Sequence, residues 1–537
     1  MKKIITRISL AAASILSICS CADFLNTKPY DFVAPETFYT TESNCKMALA
    51  GVYSALNQLG TYGNMYSILI SGSDDMAFYT RKATTTAANV YGNDHTPANS
   101  NVWEAWKEFY TGINNANIFL EKIDGSNLSD ELKKQYKGEA KFLRAYYHWI
   151  LFQGWHSVPL RKESFKDVNN SSMKATSHAE GLEWIIKEME ECVDMVDDSA
   201  YDKSPSYVKK TTVMGILARV YLWSAGYPNN GGKADYEKAA YWAKQVKDSG
   251  KHQLNPDFES IWKNICSDKY DPVYNESMWE VEFLGSRDDG INTMSRIGNT
   301  LGNLNGGATS YSYGFYAGTL LLWDLYSADD QRRDVTMATY KVNADGSYTY
   351  WTSSQIIKRT CGKFRREWEP ASSTNKNYTP ENWPLLRYSD VLLMLAEAEN
   401  EANEAPTALA YECINAVRAR GGMAPLEGLT YDQFQQEVRD ERARELTFEG
   451  LRKYDLIRWG IYVSRIKNEL AAAVKDKRWK NGTVITNNDG GVSAFVSRTS
   501  EKHQFLPIPE KELGVNLLLE QNSYWKSGEA EDTEAAE

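Results

Sequence analysis

Apolar residues recur through most of this chain at spacings of three and four, a period that an α-helix buried along one face satisfies. In residues 101–123 (NVWEAWKEFYTGINNANIFLEKI), Trp106, Tyr110, Ile113, Asn117 and Leu120 fall on a single stripe. A second helix is predicted over about 128–153, with Leu132, Tyr136, Leu143, Tyr147 and Ile150 on its face. Ser129 or Asp130 is available as its cap, and Gly154 and Pro159 end it. Further stripes predict helices over 178–197, 208–225 and 234–250, the last two packing as a hairpin across the turn signal at 226–232. The pattern returns over 385–404, 407–420, 431–448 and 450–470.

Between about 255 and 383 the period fades into Gly, Asn, Ser, Tyr and Trp, as in GNTLGNLNGGATSYSYGFYAG (298–318). Short alternating pieces such as Tyr348–Trp351 do not amount to a sheet. Helix pairs of about 35–40 residues suggest tetratricopeptide-type stacking, although the consensus of that repeat is absent. The expected fold class is therefore mostly α: tetratricopeptide-like helix hairpins with a large irregular insertion.

The 537 residues carry 71 acidic and 60 basic side chains, a formal charge of −11. That balance excludes a general nucleic-acid binder, which needs a basic face to displace counterions. Residues 1–21 read MKKIITRISLAAASILSICSC, with Lys2, Lys3 and Arg7 ahead of a short apolar stretch from Ile8 to Ile18. As a helix that stretch rises only about 16 Å, too little for a bilayer core, so it reads as an export signal. Ile18-Cys19-Ser20-Cys21 resembles a bacterial lipobox. That resemblance implies cleavage before Cys21, diacylglycerol on its sulfur and acylation of the new amine. Five further cysteines (45, 192, 266, 361 and 413) include no CxxC pair, so a zinc ribbon or dense disulfide framework is unsupported. Cys413 sits on an apolar stripe as a small hydrophobe, and one disulfide among the others is left open.

Six histidines, at 95, 148, 156, 178, 252 and 503, form no metal-ligand spacing. No nucleophile elbow, phosphate loop or dinucleotide fingerprint occurs, and no cofactor is implied. Glycoside hydrolysis needs only two carboxylates, and Asp74-Asp75 and Asp288-Asp289 are adjacent, but sequence neighbours are not thereby aimed at one bond. The charge-dense run at 437–460 is read as an ion-pair network between helices, with Asp440 and Arg444 placed to pair at i,i+4.

Several segments resemble the SusD/RagB family of outer-membrane lipoproteins. They are LKKQYKGEAKFLRAYYHWILFQGWHSVPL (132–160), TTVMGILARVYLWSAG (211–226), LLRYSDVLLMLAEAENEA (385–402) and ALAYECINAVRARGG (408–422). EVRDERARELTFEGLRKYDLIRWG (437–460), FLPIPEKELGVNLLLEQNSYW (505–525) and the opening CADFLNTKP (21–29) complete the set, in family order. The resemblance implies a surface-exposed lipoprotein with four tetratricopeptide-like hairpins that caps a TonB-dependent outer-membrane transporter (SusC-like). The shared task would be import of a glycan, or less often a peptide. The expected division is a signal peptide at 1–20, an N-terminal region at 21–230 and a C-terminal region at 231–537 containing the insertion at 255–383. A secreted all-helical glycosidase and a purely structural transporter cap are the alternative readings.

Tyr and Trp pair a flat apolar ring with a polar tip, which suits both a core and a sugar-facing surface, and the chain holds 33 Tyr and 16 Trp. Those on helical stripes (Trp106, Tyr110, Tyr147, Trp242) are assigned to packing. Aromatics on irregular, surface-running segments have less reason to be buried. Two clusters qualify as ligand-binding candidates. One joins Asp74, Arg81, Tyr91, Asn93 and Trp103, with Asp75, Met76 and His95 beside them; the other joins Tyr311, Tyr313, Tyr316 and Trp323, with Phe315. Trp351, Trp368 and Trp383 rank below these, as ligand or transporter contacts.

Overall fold

The computed structural model describes residues 38–81, 90–167, 172–199, 204–284, 294–370, 375–480 and 490–526. The signal segment, Cys21 and the Asp288-Asp289 pair lie outside them.

The predicted stripes form helices. After α1 (Glu42–Tyr53), α2 (Ser100–Lys122) opens where the Asn99 side chain accepts from Asn101 N and Val102 N at 2.9 and 3.1 Å. Ser129 caps α3 (Asp130–Trp155), followed by α4 (His178–Cys192), α5 (Lys210–Ala225) and α6 (Lys233–Asp248). Further on come α9 (Tyr388–Asn403), α10 (Ala408–Arg420), α11 (Tyr431–Leu446) and α12 (Arg452–Arg458). The helix expected over 450–470 breaks after α12, where Gly460 adopts φ +69°.

Each helix from α2 to α6 packs on the next, and α6 then packs on α9, which also meets α5, α10 and α11. The helical row therefore continues from α6 to α9 although the insertion separates them in sequence. The buried Trp106, Tyr147, Trp149, Trp155 and Trp223 fill its core, while Tyr110 and Trp242 are half-buried. All five cysteines among the described residues are buried and free, which leaves no disulfide there.

The insertion holds more strand than its sequence suggests. Strand β2 (Ser277–Val281) pairs antiparallel with β6 (Trp383–Arg387), while β1 (Ala77–Tyr79) pairs with β3 (Tyr316–Gly318) and β4 (Tyr340–Val342) with β5 (Tyr348–Tyr350). Helix α7 (Phe258–Cys266) precedes β2, and α8 (Leu320–Leu325) follows β3. Each pairing joins only two strands, and a three-residue run carries too little alternation to be recognised alone.

The charged run at 437–460 is a buried ion-pair network. Arg387 of β6 reaches Glu276 at 3.0 Å, Glu445 at 2.9 Å and Glu449 at 2.7 Å. From the insertion, Arg332 meets Asp330 at 2.8 Å and Glu441 at 2.6 Å, and Lys363 meets Glu449 at 2.6 Å. Burial alone would raise the Glu445 carboxyl; Arg420, Arg387 and Arg332 outweigh it and hold that group well below the usual carboxylate range. Arg444 pairs with Glu441 at 2.7 Å rather than with Asp440, which accepts from Gln436 at 2.9 Å. The pair forms at i,i+3 on α11 rather than at the expected i,i+4, with Glu441 held at the same time by Arg332 of the insertion. The network fixes the insertion against α11, and so fixes what the insertion displays.

Candidate functional site

The two sequence clusters meet because β1 pairs with β3. Tyr79 stands opposite Tyr316 in that register, and the ladder extends outward as Thr80 N donates to Phe315 O at 2.7 Å. Gly314, at φ +56°, makes the bend before β3; a Cβ there would press on Leu304. The side chains then divide by burial and not by strand face, since the opposed Tyr79 and Tyr316 share one face. Phe78 turns inward to pack on Trp479, and Tyr316 is buried with its hydroxyl donating to Ile68 O at 2.8 Å.

What remains at the surface is a row of rings. Tyr91 stacks on Tyr79 with centroids 3.8 Å apart, and Tyr79 meets Phe315 at 5.2 Å. Phe315 stacks on Tyr313 at 4.6 Å with planes 12° apart, and Tyr313 meets Tyr311 edge-on at 4.9 Å. All five rings are half-buried. Cations sit at two points of the row: the Arg81 guanidinium lies 5.2 Å from the Phe315 centroid, and Lys376 Nζ lies 4.7 Å from that of Tyr311. Burial pushes the Tyr79 and Tyr91 phenols above their ordinary range, so at neutral pH they stay protonated and can donate. Rings that brace one another are ordered before any ligand arrives, which lowers the entropy cost of binding.

Arg81, Tyr91, Tyr311 and Tyr313 thus come together from the two clusters, with Phe315. Tyr79 and Lys376 join them without having been singled out in the sequence. The only local signal for Tyr79 was a brief alternation in Ala77–Tyr79, and its partner strand lies more than two hundred residues away.

The remaining candidates stand elsewhere, and several are buried despite lying on irregular chain. Asp74 Oδ1 accepts from Met76 N at 2.6 Å and Ala77 N at 2.8 Å, shaping the turn into β1. Burial, then the charge of Asp75, raises its carboxyl to about 7. Asp75 is wholly buried between Arg452 and Arg465. Asn93, buried at φ +51°, donates to Thr499 Oγ1 at 2.9 Å and Tyr462 Oη at 3.3 Å. His95 is buried between the His503 and Trp525 rings. For Asp74, Asn93, His95 and Tyr316, then, the expectation of surface exposure is corrected. Backbone groups without a ladder partner draw in the side chains of Asp74 and Tyr316, whereas Asn93 is held by Thr499 and Tyr462 side chains and His95 by ring packing.

Trp103, near the start of α2, is half-buried under Lys511, and Trp323 of α8 is held between Arg333 and Arg359 at 5.0 and 4.8 Å. Trp351 is flanked by Lys341 and Lys358, and Trp368 by Lys263 and Arg365. Trp383 is core, stacked on Phe364 at 5.8 Å with planes 6° apart.

Comparison with known proteins agrees with this architecture. Residues 335–525 match the model of the SusD family, and residues 23–222 match a model described as "Starch-binding associating with outer membrane". SusD-like protein P25 of Formosa agariphila is 26% identical, over 96% of this chain and 97% of its own. Starch-binding protein SusD of Bacteroides thetaiotaomicron is 22% identical, over 77% of each chain. The crystal structure of a SusD homolog from Bacteroides thetaiotaomicron superposes with a TM-score of 0.79 at 27% identity, covering 91% of this chain and 98% of that one. With two matching models in chain order and near-complete mutual coverage by a relative and a solved fold, the chain belongs to the SusD family.

Proposed function

We propose that this protein is a cell-surface lipoprotein, anchored to the outer membrane through Cys21, that binds an extracellular glycan and delivers it to a TonB-dependent transporter without chemistry of its own. The observation that carries the reading is the row Tyr91–Tyr79–Phe315–Tyr313–Tyr311. A sugar ring has an apolar CH face and a rim of hydroxyls, and a line of half-exposed rings with phenols, Arg81 and Lys376 beside it offers both kinds of partner. A relative named for starch binding and a family model described in the same terms support the reading. Acyl chains on Cys21 would anchor the protein firmly, since stable attachment takes more than one chain. In this reading the N-terminal region at 21–230 supplies Tyr79 and Tyr91, and the insertion at 255–383 supplies the rest of the row.

Calorimetric titration of the purified protein with plant, host and microbial polysaccharides tests the binding. Heat that saturates with one glycan and vanishes in Tyr313→Ala supports the reading. Flat titrations across the panel would favour a structural cap, and titratable peptides in their place a peptide carrier. Chromatography of the incubated glycan tests the absence of chemistry, because turnover abolished by changing one carboxylate would overturn it. Membrane fractionation of Cys21→Ala tests the anchor: the variant should leave the membrane fraction.

A further inference from the structure

A second concavity shares no residue with the aromatic row. It lies where the C-terminal end of α1 faces β2 and the chain around Tyr207, as a groove of 640 Å³. Asn57 and Gln58 line it from beyond α1, Ser206 and Tyr207 from the preceding connection, and Glu280 and Glu282 from β2 and its exit. Strand alternation explains the two carboxylates: Trp279 enters the core against Phe142 and Tyr146, and Glu280 and Glu282 take the other face.

Among the described residues these carboxylates differ from those of the Glu445 network in forming no ion pair. Glu280 is 6% exposed, and Asn382 Nδ2 donates to its Oε2 at 3.0 Å. Glu282 accepts from the hydroxyls of Ser206 and Tyr270. No Lys or Arg among the described residues forms an ion pair with either one, although an isolated buried carboxylate is costly. Burial pushes the Glu280 carboxyl up to about 7, Glu282 and Asp268 adding like charge against the hydrogen bonds of Ser277 and Asn382. A cation entering the groove would relieve that cost. The Tyr207 ring, 39% exposed and set edge-on to Tyr53 at 5.9 Å, adds a flat wall, and the amides of Asn57 and Gln58 add hydroxyl partners.

We propose that this groove is a second saccharide site that takes an amino sugar, with its ammonium against Glu280 and Glu282, its ring face on Tyr207 and its hydroxyls on Asn57 and Gln58. The hydroxyl and amide lining favours a sugar over a simple cation, and the paired carboxylates favour an ammonium-bearing sugar over a neutral one.

Titrating the full chain with a β-1,4-linked glucosamine tetramer, its fully N-acetylated counterpart and tetralysine tests this. The glucosamine tetramer should bind, the N-acetylated one about tenfold more weakly or worse. Glu280→Gln and the less buried Glu282→Gln should each weaken the glucosamine tetramer by about tenfold, with melting curves confirming that both variants fold. Tyr313→Ala should leave this binding unchanged. No binding of the glucosamine tetramer, or equal binding of all three ligands, would overturn the site. Binding lost in Tyr313→Ala but kept in Glu280→Gln would also overturn it, by assigning the ligand to the aromatic row and leaving the proposed function standing.

Discussion

Asp75 and Arg452 form a forked, two-bond ion pair: Arg452 Nε donates to Oδ1 at 2.8 Å and Nη2 to Oδ2 at 2.9 Å. Arg465 adds a third donor at 2.9 Å. The turn that leads into β1 is thereby tied to α12 and the segment after it, and with that turn the position of Tyr79. Removing one partner of a buried pair leaves the other charge uncompensated, so Asp75→Ala should cost about 3–5 kcal/mol. Urea unfolding measures it; a change under about 1 kcal/mol would mean that the pair does not hold the turn.

The aromatic row makes a ring-specific prediction at its outer end. Tyr91→Phe keeps the stack on Tyr79 and should bind glycan within a few-fold of the native protein, losing only a phenol hydrogen bond. Tyr91→Ala removes the stack, worth about 0.5–1.5 kcal/mol beyond the area it buries, and should weaken binding by about tenfold. Calorimetry with the same glycan compares the two. Equal losses would assign the effect to the hydroxyl.

A close approach fixes the other side of β1. Helix α13 (Gly490–Arg498) crosses it so tightly that a Cβ on Gly491 would overlap the carbonyl oxygen of Tyr79 and crowd that of Arg81. The obstructing atoms are backbone, so a rotamer change cannot relieve them. Gly491→Ala should therefore destabilise by about 1–3 kcal/mol and displace the strand that presents Tyr79. Thermal melting should fall and glycan affinity should fall with it; a rise in melting temperature from added helix propensity would refute the contact.

The buried network predicts how stability depends on acid. Burial would raise the Asp390 carboxyl, but Arg219 and Arg442 overcome it and lower the group to about 2. An unfolded Asp titrates near about 3.9, so between those values the unfolded state binds the proton and the folded state does not. The contribution is thus present above about pH 4 and is lost as pH falls toward 2, roughly 2–3 kcal/mol in all. Asp390→Asn should be less stable at neutral pH and should lose less between pH 4 and 2 than the native protein. Parallel acid limbs in urea unfolding would contradict this.

The helical part of the fold was legible because its information is local. A 3.6-residue period over 101–123 or 431–448 identifies both the helix and its buried face, and Ser129 and Gly421-Gly422 mark a start and a stop, whereas the break at Gly460 inside the expected 450–470 helix was not read. Cys413 and the dense charge at 437–460 were legible as kinds of environment, a buried small residue and an ion-pair network. Which charges pair was not: along α11 Arg444 pairs with Glu441 at i,i+3 and not with Asp440 at i,i+4, and Glu441 also meets Arg332 of the insertion.

For the candidate site, residue type alone marked Tyr91, Tyr311 and Tyr313 but could not separate them from Asp74, Asn93 and Tyr316, which the same kind of chain carries into the interior. The difference lies in one pairing of three residues on each strand, Ala77–Tyr79 with Tyr316–Gly318, whose partners are far apart in the chain. Long-range pairing leaves no period in either segment, so the sequence by itself determined the helical frame and the supply of aromatic rings. The tertiary structure alone decided which rings share a surface, because only the closed chain brings β1 and β3 within hydrogen-bonding distance.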